Sequence, residues 1–173
     1  MNKIVLPKIS KYHYELCRLF AEESYITSVV QYHKRHQENI EKIKRDILYG
    51  KCAEFMVYSY YTERETPITF PDIDIYYNKQ KKSFDPDFII NKEYNLHVKS
   101  RVEYKDFPIS WVFQKQDFLV QKPTEKDYIA FCVLSKKESY MYVTKASKVT
   151  YEKPNLEHLS GNKVCVYQKT LMK

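Results

Sequence analysis

Two hydrophobic periods alternate along this chain, and each switch between them marks an element. Over residues 11–28, Leu16, Leu19 and Phe20 recur on one face at helical spacing, which predicts a helix. Pro7 and Ser10 keep residues 1–10 extended ahead of it. Residues 31–45 are charged and contain no helix breaker. Residues 43–61 resume the helical period and predict one long helix or two abutting ones. Gly50, which costs about 1 kcal/mol relative to alanine in a helix, is expected to permit a close approach or to mark a boundary. The helix should stop before Pro67, because the residue ahead of a proline avoids helical geometry.

The period then changes to two. Residues 68–77 alternate as a strand, and residues 84–90 and 96–101 alternate as the two arms of a hairpin. A connecting loop of three or five residues puts Phe88, Ile90, Leu96, Val98 and Val102 on one face and Asp85, Asp87, His97, Lys99 and Arg101 on the other. A four-residue loop would mix the two sets and bury polar groups among apolar ones. Beyond Pro108, residues 109–120 predict a helix starting near Ser110, a good N-cap, with Gln114 on it. Residues 128–134 and 140–143 read as strands, 144–149 as a short helix and Lys163–Tyr167 as a final strand. There is no repeat or low-complexity segment.

Composition narrows the picture. The 173 residues are 43% hydrophobic with only two glycines, which excludes a disordered or fibrous chain and suits one compact domain. A formal net charge of +7 favours a polyanionic partner. Most of the 17 tyrosines and nine phenylalanines should be core, with some placed to stack on bases. Cys17, Cys52, Cys132 and Cys165 form no CxxC pair and fit reduced thiols better than a disulfide framework or zinc cluster. The longest apolar run, residues 128–134, is too short to span a bilayer, and the start shows no signal-peptide pattern, so a cytoplasmic protein without a membrane partner is expected. His33 and His36 sit at a spacing able to bind a metal, but with no third ligand apparent nearby they read as part of a basic solvated face.

An aspartate, an imidazole and an ammonium on one sheet face make a metal site with a lysine beside it. Here Pro86-Asp87, nine intervening residues and then His97-Val98-Lys99 resemble the signature of the PD-(D/E)xK nuclease superfamily. Histidine stands where that family usually has its second acid. Gly50-Lys51-Cys52-Ala53-Glu54 is similar to the family's first-helix signature, which aims a glutamate at the metal site. Pro71-Asp72 and Asp74 compete for the aspartate role, but Asp87 lies closer in sequence to His97-Val98-Lys99.

The resemblance covers residues 43–134 and implies an α/β (α+β) fold with a restriction-endonuclease-like αβββαβ core. A mixed sheet of four to five strands would be flanked by helices, with residues 1–42 as a helical extension and 135–173 as terminal additions to a single domain. It implies a metal-dependent endonuclease acting on DNA, with RNA also open and a homodimer conceivable. Asp87, His97, Glu54 and the carbonyl of Val98 would hold the ion. Lys99 and Glu54 would act on the attacking water, and Gln114 would lie near the site or the DNA backbone. Products would carry 5′-phosphate and 3′-hydroxyl ends. Magnesium or manganese is the expected cofactor, with manganese favoured because imidazole is softer and less charged than a carboxylate. Two other readings remain: an inactive nucleic-acid binder of the same fold, favoured by His97, and an unrelated α/β protein whose hairpin matches by chance.

Overall fold

In a computed structural model, residues 1–33, 38–75, 85–104 and 107–172 are described. The chain folds as a mixed α+β structure around a five-stranded sheet. Two long helices, α1 (Lys11–His33) and α2 (Ile40–Thr62), precede most of the sheet. They run antiparallel: His13 stacks on Phe55 with ring centroids 4.7 Å apart, and near the other end Lys44 Nζ reaches Glu22 Oε2 at 2.6 Å. Asn39 starts α2 by accepting the Lys42 N–H on its side-chain oxygen at 2.9 Å, which satisfies one of the orphan donors of the first turn. The helix runs unbroken through Gly50, and a Cβ built there meets nothing within 4 Å. Gly50 therefore serves neither the close approach nor the boundary expected of it.

The central sheet has strand order β1-β6-β5-β3-β2, formed by β1 (Ile4–Val5), β2 (Phe88–Ile90), β3 (Tyr94–Val102), β5 (Asp127–Leu134) and β6 (Tyr140–Lys145). Among the described residues only β3 and β5 pair in parallel, from Asn95↔Asp127 to Val102↔Leu134. The hairpin has the three-residue form of the expected loop. Phe88 pairs with Leu96 and Ile90 with Tyr94, while Asn91 and Lys92 take φ of 52° and 58° and Glu93 N–H donates to the Ile90 carbonyl at 3.0 Å. Phe88, Ile90 and Leu96 pack against Ala53, Met56 and Val57 of α2, with Val98 and Val102 partly buried in the same cluster. Ile129, Phe131 and Val133 point to the opposite face, where they meet Trp111, Phe113, Leu119 and Val166.

That second layer corrects the helix expected from Ser110. Residues Ser110–Gln114 form strand β4, paired antiparallel with β7 (Lys163–Tyr167) in a separate two-stranded sheet. The period there is two: Trp111 and Phe113 are buried on one side and Val112 is exposed on the other. The helix signal belongs to Asp117, whose side chain accepts the Leu119 N–H at 3.1 Å and caps the single turn α3 (Phe118–Gln121). Gln114 is thus a strand residue and lies on no helix.

The strand expected over residues 68–77 is also reduced. Ile68 bridges Ile90, and Thr69 N–H reaches the Ile89 carbonyl at 3.1 Å, but residues 69–75 form no strand. Pro71 has no N–H to offer a ladder. The rest of that stretch, the basic turn after it, Phe84, and residues 34–37 of the basic segment lie outside the described residues. The short helix expected at 144–149 is a 3-10 turn, Ala146–Lys148, followed later by a second, Glu157–Leu159, and by the terminal α4 (Gln168–Leu171). No helix among the described residues is long and apolar enough to cross a membrane.

Candidate active site at the open edge of strand β3

Asp87 sits just before β2, where alternation brings it beside His97-Val98-Lys99 on the neighbouring strand. Its Oδ2 accepts the Val98 backbone N–H at 2.6 Å, a short charge-assisted bond that fixes the carboxylate. Glu54 lies on α2, which covers the face of the sheet that bears Phe88, Leu96 and Val98. The structure therefore couples it to Asp87 electrostatically but does not put it on the face of His97 and Lys99, which turn to Phe118 and Phe113. Burial pushes the Glu54 carboxyl pKa from 4.5 up to about 7. The Lys51 ammonium pulls it down, and the charges of Asp87 and Asp72 push it further up. Burial also raises the thiol of Cys132, on which both Asp87 and Glu54 act.

Lys51, one helical turn before Glu54, holds that carboxylate in place. Its Nζ lies 2.6 Å from Glu54 Oε2 and donates to the Asp72 carbonyl, also at 2.6 Å, while standing 4.5 Å from the Phe20 ring centre. The i,i+3 spacing of Lys51 and Glu54 on one helix is the signal in the sequence for this positioning role, which the motif alone does not assign to Lys51. Asp72 and Asp74, the competing acids, are exposed, and Asp72 Oδ1 accepts the Asp74 N–H at 3.0 Å.

His97 faces differently from a simple ligand. It is 5% exposed, its ring meets Phe118 edge-on at 5.4 Å, and its Nε2 lies 3.8 Å from Asp127 Oδ1, too far for a hydrogen bond. That Nε2 has no hydrogen-bond partner among the described residues. Burial lowers the imidazole pKa and outweighs the opposing pull of Asp87 and Asp127, which keeps the ring neutral at neutral pH. Burial alone would raise the Asp127 pKa, but Asn95 Nδ2 at 2.9 Å and the N–H and hydroxyl of Thr124 at 2.7 and 2.8 Å bring it below the ordinary value. Asp127 carries no sequence signal, since only the parallel pairing of β3 with β5 brings it to His97.

Lys99 stands with its ammonium 5.5 Å from the Phe113 ring centre and forms part of the wall of a cleft of about 660 Å³. Lys42 and Arg45 of α2, Arg101 of β3 and Lys163 of β7 also line it. Gln114 lies at the end of β4 opposite Lys163 and is not brought to Asp87.

Among the described residues, no three His, Cys, Asp or Glu side chains group closely enough to hold a metal ion. The available donor set is the two carboxylates of Asp87 and Glu54 with the Val98 carbonyl. Such a set fits magnesium or manganese, which take one or two carboxylates and complete their octahedron with water and substrate phosphate. A divalent ion shared by the two acids would also relieve their mutual repulsion. The chain matches no family model, no curated protein and no solved structure.

Proposed function

We propose that the chain is a divalent-metal-dependent deoxyribonuclease with a restriction-endonuclease-like core in residues 43–134. The observation that carries this reading is the 2.6 Å bond from Val98 N–H to the Asp87 carboxylate, which ties Pro86-Asp87 to the centre of His97-Val98-Lys99. Asp87, Glu54 and the Val98 carbonyl would hold the ion, with His97 in the place of the family's second acid. A bound divalent ion supplies Lewis acidity to the phosphodiester and to water. Lys99 orients the attacking water and offsets the negative charge that grows on the phosphoryl oxygens. Lys51 positions Glu54, whose near-neutral pKa lets it hold or release a proton at working pH. Gln114, on β4, is left the role of a contact to the DNA backbone.

A panel of plasmid, linear, single-stranded and branched DNA, incubated with magnesium and then manganese, tests this reading. Wild type should cleave at least one member, and Asp87→Ala and Lys99→Ala should each abolish the cleavage. A second reading, an inactive nucleic-acid binder, is favoured by the turn of His97 Nε2 toward Asp127. Salt-sensitive binding without cleavage under either metal would establish that reading and refute the nuclease.

A further inference from the structure

The cleft beside Lys99 has a shape that restricts what can reach that lysine. It runs along the edge of β3, which pairs with β2 only through Tyr94, Asn95 and Leu96. Among the described residues no strand pairs with β3 on that side beyond Leu96, and the Val98 N–H there is taken by Asp87. Arg45, Lys99, Arg101 and Lys163 converge on the space from three elements. Among the described residues that line it the one acid, Asp46, lies 3.3 Å from Lys42, so the four other cations leave a strong positive excess. Arg101 is anchored by Nη1 to the Ser110 carbonyl at 3.4 Å, while its Nε is buried without a hydrogen-bond partner among the described residues. Tyr104, half exposed, and Tyr49 add aromatic faces to the lining.

We propose that this cleft binds an unpaired polynucleotide strand, with phosphates tracked by Arg45, Arg101 and Lys163 and a base lying against Tyr49 and Tyr104. The inference rests on the nuclease reading for the role of Lys99. At about 660 Å³ the cleft falls within the roughly 300–1,000 Å³ that enclose a molecule of drug size. A nucleotide or two matches that space, whereas a base-paired stack presents a rigid cylinder whose major groove alone is about 12 Å wide. Cations that follow a backbone, interleaved with aromatic rings that accept any base, are the means by which single strands are held without sequence preference. Lys99 lines the cleft, so a phosphodiester held there lies beside it, and the substrate on this reading is a single strand or the unpaired part of a branched molecule.

Fluorescence anisotropy in EDTA tests binding apart from cleavage, with labelled oligothymidylate of 12 nucleotides, oligouridylate of the same length and a 12-base-pair duplex as probes. Either single strand should bind at least tenfold tighter than the duplex, and the tighter of the two identifies DNA or RNA as the source. With three phosphates neutralised, the log–log salt slope should be about −2, falling to about −0.7 in Arg45→Ala/Lys163→Ala. Tyr104→Ala should weaken binding at least about fivefold with the slope unchanged. A duplex bound as tightly as the single strands, or a double variant that keeps the wild-type slope, overturns the proposal. Circular dichroism of each variant confirms that the fold is retained. Cleavage with metal in the face of duplex preference would sink the strand assignment and leave the nuclease; single-strand binding without cleavage would do the reverse.

Discussion

Glu54→Gln isolates the electrostatic cost of the candidate site. In the folded chain the Glu54 pKa is raised from 4.5 to about 7, chiefly by burial, and its side chain is only 15% exposed, so solvent screens little of this. Between those two values the folded protein keeps a proton that the unfolded chain releases. Stability contributed by the neutral carboxyl is fully present below pH 4.5 and is lost as pH rises through 7. At 1.36 kcal/mol per pKa unit the loss is about 3 kcal/mol, equivalent to a fall of roughly 6–12 °C in Tm for a chain of this size.

Glutamine keeps the shape and carries no charge, and Lys51 retains the Asp72 carbonyl as an acceptor. Urea unfolding in EDTA, followed by far-ultraviolet circular dichroism from pH 4.5 to 8, should show the variant gaining on wild type by about 3 kcal/mol across the range. Contributions of groups that do not interact with Glu54 cancel in that difference. Manganese added at pH 8 should narrow the gap by stabilising wild type more than the variant. Parallel pH profiles for the two proteins would refute the reasoning, because Glu54 would then titrate alike folded and unfolded.

Gly50→Ala should stabilise the chain by about 1 kcal/mol in the same unfolding assay, since a Cβ there meets only open space; a loss of stability would reveal a contact at that position. His97→Gln should leave the ratio of manganese- to magnesium-supported cleavage unchanged, because the donor set of Asp87, Glu54 and the Val98 carbonyl does not include the ring; a shift toward magnesium would place His97 among the ligands. Asn39→Ala should cost about 1 kcal/mol by leaving the Lys42 N–H without its cap, read from the urea midpoint; no change would mean that water replaces the bond at no cost.

What the chain encodes locally was legible from residue spacing. Alternation over Phe88, Ile90, Leu96 and Val98 defined both the hairpin and its apolar face, because a slip of one residue would turn every side chain over. The helix through Glu54 and the strand Lys163–Tyr167 followed from period in the same way. The segment Ser110–Gln114 carried two competing signals, a cap residue and a period of two, and its pairing with β7, some fifty residues later in the chain, decided for the strand. The parallel pairing of β3 with β5 brought Asp127 against His97, and the cleft drew Arg45, Arg101 and Lys163 from three separate elements. Such contacts join residues far apart in the chain and depend on how whole layers pack, so spacing fixes each element's face while the tertiary structure alone decides what that face meets.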